Sequence, residues 1–348
     1  MGGSLFKDLG AQRVTTQIYE SKYVPELTAL LKPLGIRFDF VQYYRNKEDH
    51  GDIDILVNKA TVVKEAEGVT TATVSLNPNR KEVITQHLKA NGYTVRINSD
   101  VVSFLYDGCL QVDLVFTKPS CYEYSKAYYS WNDLGGLIGR MTRGIGMKHG
   151  CNGLYYVHYN EDKTRKLGEY LLTTDHDKTL EILGLDRNIF AQGFDSLEDI
   201  FEYVTSSKYF GVRAFILEDL PCKDRHRDQK RNTFIKFDEF CEQNRDRLPQ
   251  RAEWLPEDKE RFVVSLFPEV QEKISNALEK EEKRVALAAK FNGHIIMGMF
   301  DDLKSNPKEL GAFIRQFKEE YSDEALLCLT PEGIKTLLTS FYTKLKGA

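Results

Sequence analysis

The sequence predicts an α+β protein, and three features carry that prediction. Short runs rich in β-branched and aromatic residues are bounded by turn-forming residues, only a few helix-periodic segments separate them, and the last third of the chain is helical in pattern and highly charged. At 348 residues the chain is long enough to bury a substantial core and to form more than one domain.

From Tyr19 to Leu34 the apolar residues Tyr23, Leu27, Leu30 and Leu31 recur at helical spacing, and Pro33-Leu34-Gly35 closes the run. Ile36 to Tyr44 reads as a strand. So do Ile53 to Val57, Thr70 to Leu76, Tyr93 to Ile97 and Leu110 to Phe116, with a helix near Arg80 to Ala90 among them. After Pro119 the sequence turns Tyr-rich and then Gly-rich, with Gly135, Gly136, Gly139, Gly144, Gly146, Gly150 and Gly153 close together. That stretch predicts short helices or turns on easily rearranged backbone. The amphipathic run Leu197 to Tyr209 ends this second part. Beyond it the pattern is helical, and Glu279 with Lys283 is an acid-to-base pair at helical spacing. The expected division is 1–120, 121–212 and 213–348.

The chain is 41% hydrophobic and 29% charged, the balance of a folded globular protein. Its net charge is −4, from 48 Lys and Arg against 52 Asp and Glu, so no global basic field attracts nucleic acid. Any such contact must be local, because salt confines the useful field to about 10 Å. The six cysteines include no C-x-x-C pair and predict reduced thiols. The start Met1-Gly2-Gly3-Ser4-Leu5-Phe6 lacks an apolar signal core, and the longest apolar stretch, Val101 to Phe116, is broken by Asp107 and Asp113. A cytoplasmic, nucleoid or nuclear protein is expected, not a secreted one, with no membrane partner. No G-x-x-x-x-G-K-[ST] or G-x-G-x-x-G motif occurs between a strand and a helix.

Gly51-Asp52-Ile53-Asp54-Ile55-Leu56-Val57 puts two carboxylates on one face of a strand otherwise flanked by apolar residues. Asp113 sits in a second apolar strand, where an unpaired carboxylate is costly to bury. Three carboxylates on neighbouring strands would repel one another unless cations lay between them. Oxygen donors of this kind favour Mg²⁺ or Mn²⁺, and two such ions stabilise both the attacking and the leaving oxygen of a phosphoryl transfer. An isolated D-x-D is equally compatible with a turn cap, an exposed strand residue and a salt bridge.

The residues around this motif separate those readings. Val41-Gln42-Tyr43-Tyr44-Arg45-Asn46-Lys47-Glu48-Asp49-His50-Gly51-Asp52-Ile53-Asp54 resembles, without a gap, the G-S-Y-R-R-G-K-E-x-x-G-D-x-D signature of family X DNA polymerases. The resemblance implies Asp52, Asp54 and Asp113 as metal ligands and catalytic residues, and Arg45 as a triphosphate contact, with Gln42 and Gly51 in the same loop. Tyr128-Tyr129-Ser130-Trp131-Asn132-Asp133 resembles the family's Y-F-T-G-S-D segment, which lines the nucleotide sugar and base. That likeness implies Tyr128, Tyr129, Asn132 and Asp133 as nucleotide-binding. Arg140 falls where the family has an arginine near the template strand, and Leu197 to Tyr203 is similar to the closing helix of the same subdomain. The likeness covers about 20–210.

What the resemblance implies is a polymerase-beta-like nucleotidyltransferase palm, a thumb-like nucleotide-binding subdomain and a helical C-terminal region. The expected reaction adds nucleotides from NTP or dNTP to a DNA or RNA 3′ end with two Mg²⁺ or Mn²⁺ ions. The glycines at 135–153 would then be a lid that orders on nucleotide binding. Arg225, Arg227, Lys230 and Arg231, followed by Phe234 and Phe237, suit a nucleic-acid backbone as well as a solvated helix face.

This chain departs from the family in three places. Val41-Gln42 replaces the Gly-Ser pair whose backbone and hydroxyl hold phosphates, so Gln42 and Arg45 must cover that role or activity is altered or lost. No helix-hairpin-helix or amino-terminal lyase module is recognisable. Gly136 replaces a minor-groove-contacting asparagine. Further on, Phe291-Asn292-Gly293-His294 to Ile314 is similar to the helical body of CCA-adding tRNA nucleotidyltransferases. Addition to RNA or tRNA ends, and a catalytically lapsed binding module, are therefore the alternatives.

Overall fold

The computed structural model describes residues 3–61, 75–76, 80–251 and 254–347. They form two compact units: one built from the residues up to Val157 and from Tyr170–Leu266, the other from His158–Glu169 and from Phe267 onward.

The first unit is a mixed α+β structure. In chain order β1 (Val14–Thr15) leads into α1 (Thr16–Ile18), a π turn at Tyr19–Tyr23 and α2 (Val24–Leu31). The helical run stops where Lys32–Leu34 tightens to a 3-10 turn and Gly35 takes a φ of 60°, a left-handed conformation open to glycine. There follow β2 (Phe38–Phe40), β3 (Asp49–His50), β4 (Asp52–Asn58), β5 (Ala60–Thr61), β6 (Ser75–Leu76), α3 (Arg80–Ala90), β7 (Val95–Asn98), β8 (Val101–Tyr106) and β9 (Leu110–Thr117). Five of these strands form one sheet in the order β2-β4-β9-β8-β7. Its central pair, β4 and β9, is parallel; the other neighbours are antiparallel.

Alternation along the central pair divides the sheet into two faces. Ile53, Ile55 and Val57 of β4 and Val112, Leu114 and Phe116 of β9 enter one core with Leu27 and Leu31 of α2 and Ile84 and Leu88 of α3. Each such side chain contributes about 1.5–3 kcal/mol by leaving water. The opposite face carries Asp52, Asp54, Gln111 and Asp113, then Leu56 and Val115 beneath Tyr122.

The strand β8 was hidden within the apolar stretch 101–116. Asp107 and Gly108, at φ 51° and 67°, fold that stretch into a hairpin, the turn chemistry that an Asp-Gly pair favours. Of the expected strand Thr70 to Leu76, Ser75–Leu76 pairs with Ala60–Thr61, and residues 70–74 lie outside the described residues.

After β9 the chain continues with α4 (Tyr122–Tyr129), α5 (Leu134–Arg143), the strands β10 (Met147–Gly150), β11 (Gly153–Tyr159) and β12 (Lys166–Thr173), of which His158–Tyr159 and Lys166–Glu169 count with the second unit, then α6 (His176–Leu183), α7 (Arg187–Gln192), α8 (Leu197–Thr205), α9 (Cys222–Asp228), α10 (Asn232–Gln243) and α11 (Pro256–Leu266). Gly135 and Gly139 thin α5 for close packing. A Cβ on Gly135 would lie 2.2 Å from the Tyr128 carbonyl oxygen, and one on Gly139 would lie 3.1 Å from that of His149.

Residues 213–266 also pack with the first unit, where the sequence pattern grouped them with the C-terminal helices. Aromatic contacts hold them there: Phe237 lies 5.1 Å from Phe201 and 6.2 Å from Phe210, centroid to centroid.

From Phe267 onward the second unit is helical: α12 (Val270–Lys290), α13 (Gly293–Met299), α14 (Asp301–Lys304), α15 (Pro307–Glu320), α16 (Asp323–Leu327) and α17 (Pro331–Lys346). Asn292, Asn306, Ser322 and Thr330 cap four of these helices by accepting a first-turn N–H. Phe291, Phe313, Phe317, Leu338 and Phe341 are among its core residues. None of the described helices is long and apolar enough to cross a membrane. All six cysteines are free thiols.

Candidate functional site

Parallel pairing of β4 with β9 sets Asp54 directly beside Asp113 and Asp52 beside Gln111. Strands in a sheet lie about 4.8 Å apart, so the three carboxylates share one small patch. Burial, then the charges of Asp52 and Asp113, push the Asp54 carboxyl well above its usual range. Burial also raises Asp52, against the Gly3 N–H and the Lys47 charge. Asp113 is raised by burial and by Asp52, against Ser103 and Gln111. All three shifts favour the neutral acid, so the patch by itself resists holding three negative charges at once.

The hydrogen bonds around the patch are unequal. Oδ2 of Asp52 accepts the Gly3 N–H at 2.9 Å, and Oδ2 of Asp113 accepts Nε2 of Gln111 at 2.9 Å. Oδ1 of Asp113 is shut off from solvent and accepts no hydrogen bond. The donor set is all carboxylate oxygen, the chemistry that suits a hard divalent cation. Among the described residues, no three His, Cys, Asp or Glu side chains already stand in an arrangement that would hold a metal.

The loop before β4 is clamped from two sides. The Gln42 carbonyl accepts the Trp131 N–H at 2.8 Å. The Arg45 and Asn46 N–H groups donate to the Phe194 and Asp195 carbonyls, both at 2.9 Å. The Arg45 guanidinium bonds the Asp195 carboxylate and, at 2.9 Å, the Gln192 carbonyl. It is 54% exposed, so solvent and ligands reach it. Gly193, at φ 76°, is required here, since a Cβ would come within 2.4 Å of the Trp131 ring.

Trp131 and Asn132 both take left-handed φ, 63° and 60°, which is strained for two consecutive non-glycine residues. The Trp131 indole N–H and the Asn132 side-chain amide oxygen Oδ1 are buried without a hydrogen-bond partner. Tyr129 packs beside Leu56 and Val115 on the carboxylate face, and Tyr128 meets it edge-on at 5.3 Å. Asp133 pairs with Arg231 at 2.6 Å. The predicted positions 42, 45, 128, 129, 132 and 133 thus all lie in the first unit, with Gln42 joined to the 131–133 turn.

The basic residues expected to meet nucleic acid lie differently. Arg140 is buried against Asp228, itself buried, with Asp224 at 3.7 Å, so it joins α5 to α9 and does not face solvent. Its charge needs those carboxylates, because an unpaired buried guanidinium would be costly. Arg227 pairs with Asp228 at 3.0 Å, and Arg225 donates to the Leu220 carbonyl at 3.2 Å. Lys230 is exposed, and the Lys223 side chain lies outside the described residues.

Sequence reasoning missed Gln111, Gly3, Lys47 and Asp195. Gln111 had a legible signal: it precedes Asp113 by one strand repeat and shares its face. Lys47 is half-buried, its ammonium pushed below its usual range by desolvation and held up by Asp52 and Asp54.

No known protein family matches the sequence, and no curated protein matches it either. Among solved structures, a crystal structure of Leishmania infantum polymerase beta, described as a ternary P/T complex, is similar at 11% identity over 52% of this chain and 76% of that chain. The TM-score is 0.35, and the function has to be argued from the chain's own residues.

Proposed function

We propose that the chain is a metal-dependent nucleotidyltransferase that adds nucleotides from NTP or dNTP to a nucleic-acid 3′ end. One observation carries this reading: three carboxylates share one face of adjacent strands, Asp54 is raised by the charges of the other two, and one buried oxygen of Asp113 has no partner.

Asp52, Asp54 and Asp113 would hold Mg²⁺ or Mn²⁺, whose chemistry there is to offset the charge of the phosphates and to acidify a bound hydroxyl. Arg45 grips the outer phosphates, exchanging Asp195 for phosphate oxygens. Tyr128 and Tyr129 flank the sugar, with Asn132 and Asp133 nearer the base. The 3′-hydroxyl oxygen attacks the α-phosphorus, the bond from that phosphorus to the bridging oxygen breaks, and pyrophosphate leaves. Asp113 takes the hydroxyl proton.

The test is incubation with labelled NTPs and dNTPs, offered single-stranded RNA, tRNA and gapped DNA, with Mg²⁺ and with chelator. Extension of a 3′ end in Mg²⁺ alone is the expected result. No extension of any primer refutes catalysis. The Val41-Gln42 departure and the Asp195 hold on Arg45 favour one second reading, a binding module that has lost turnover. Metal-dependent triphosphate binding without extension identifies it.

A further inference from the structure

The carboxylate patch is held from outside the sheet by a segment with no acid, base or nucleophile at its contact points. Gly3 lies at φ 77° with its N–H on Asp52, and it is buried. A Cβ there would fall 1.8 Å from the Gly51 carbonyl oxygen and 2.5 Å from its carbon, so only glycine permits this approach. Two residues on, the Leu5 N–H donates to Oε1 of Gln111 at 3.0 Å. That bond fixes the amide so that its NH₂ faces Asp113. The Leu5 carbonyl accepts from Arg96, whose guanidinium lies 4.8 Å over the Phe6 ring and pairs with Asp8 at 2.8 Å. Phe6 is wholly buried. The segment is thus anchored independently of the carboxylates it touches.

We propose that Gly3–Phe6, with Gln111 as relay, is a positioning layer that fixes Asp52 and Asp113 for cation binding; this rests on the metal reading above. Both bonds engage Oδ2 and leave Oδ1, which in Asp113 has no other partner. A carboxylate offers about four lone-pair sites, so one donated N–H orients it without exhausting it. Outer partners of this kind set ligand direction in metal sites, and their loss costs about 10–100-fold in metal affinity. Positioning, and not competition with the cation, is the sense that this geometry supports.

The probe is Mn²⁺, titrated by electron paramagnetic resonance against the wild-type protein, Gly3→Ala, Gln111→Leu and Gln111→Asn, with melting temperature measured alongside. Each variant that retains cooperative melting should bind Mn²⁺ about 10–100-fold more weakly. In an Asp113→Asn background, Gln111→Leu should cause little further loss, since it acts through Asp113. Unchanged affinity overturns the proposal, and tighter binding shows that the segment covers the patch instead. A full additional loss in the Asp113→Asn background also overturns it, because Gln111 then acts through the fold. Should Gly3→Ala fail to fold, the two Gln111 variants decide alone. If wild-type protein binds no Mn²⁺, the metal reading itself falls and takes this proposal with it, whereas Mn²⁺ binding indifferent to all three variants removes only the positioning layer.

Discussion

Asp52, Asp54 and Asp113 on the sheet, and His149 and His176 beside α4, are all titratable groups withdrawn from water, and burial favours the uncharged form of each, yet their neighbours differ. Burial holds the imidazoles neutral, His149 down to about 3 and His176 down to about 4. A neutral ring packs locally at lower cost, although Nε2 of His149 is itself buried without a hydrogen-bond partner. Nδ1 of His149 lies 3.1 Å from the Gly135 carbonyl, and the ring packs 5.1 Å from Tyr128 and 5.5 Å from Tyr124. Burial favours the neutral form of the carboxyls as well, but here like groups crowd one face: Asp52 and Asp113 raise Asp54, Asp52 raises Asp113, and Oδ1 of Asp113 is left without a donor. Crowded acids on one sheet face are the pattern that a bound cation would relieve.

The largest effect that tests this contrast is Asp113→Asn. It removes a charge from the patch at nearly constant volume. Nucleotide incorporation should fall by about 10³-fold or more, the several kcal/mol that a bound metal supplies at 1.36 kcal/mol per tenfold. Metal-free protein should melt at the same temperature or slightly higher, since repulsion with Asp52 is relieved. Undiminished incorporation by the purified variant would show that the patch is structural, like the imidazoles.

The imidazole side of the contrast is tested by pH. A histidine whose folded pKa lies below its unfolded value stabilises the protein fully above the unfolded value, near 6.5, and loses that contribution as pH falls toward the folded value. Between pH 6.5 and 5, His176 should cost the wild-type protein about 2 kcal/mol at 1.36 kcal/mol per unit. His176→Phe keeps a ring beside Phe190, 4.7 Å away, and removes the titration. Urea unfolding at the two pH values should show a smaller acid loss in the variant. Parallel losses in both proteins would mean that His176 is already solvated.

Much of this was legible in the sequence, and the gaps have physical causes. Periodicity and apolar runs found α2, α3, α8, β4 and β9; α2 and α3 each bury one face in the sheet's core. The D-x-D pair on a strand located the patch. The hairpin of β8 and β9 was concealed because both strands are apolar and only Asp107-Gly108 parts them. Residues 213–266 gave no local sign of their partners, since Phe237 reaches Phe201 across the chain. Gly135 and Gly139 illustrate an ambiguity of composition: a flexible loop and a thinned helix both call for glycine, and the backbone packed against them decides. Gly3 meets Asp52 across 49 residues, a contact that no sequence pattern announces.

The smallest effect concerns Arg45, which stands between the two behaviours, charged and already partnered. Its guanidinium is 54% exposed and bonds Asp195, an arrangement worth at most about 1 kcal/mol for an exposed pair. Phosphate oxygens can therefore displace Asp195 at small cost, and the planar fork binds two of them at once. A lysine keeps the charge but loses the fork. Arg45→Lys should weaken triphosphate binding by about tenfold, or 1.4 kcal/mol, and monophosphate binding less. Asp195→Asn should act in the opposite sense, tightening triphosphate binding by up to about fivefold because the guanidinium no longer has to leave a carboxylate. Calorimetric titration of both variants with both ligands distinguishes the roles. Equal shifts for mono- and triphosphate would take Arg45 out of the phosphate site and leave it as a clamp between the 42–46 loop and the turn at Gly193.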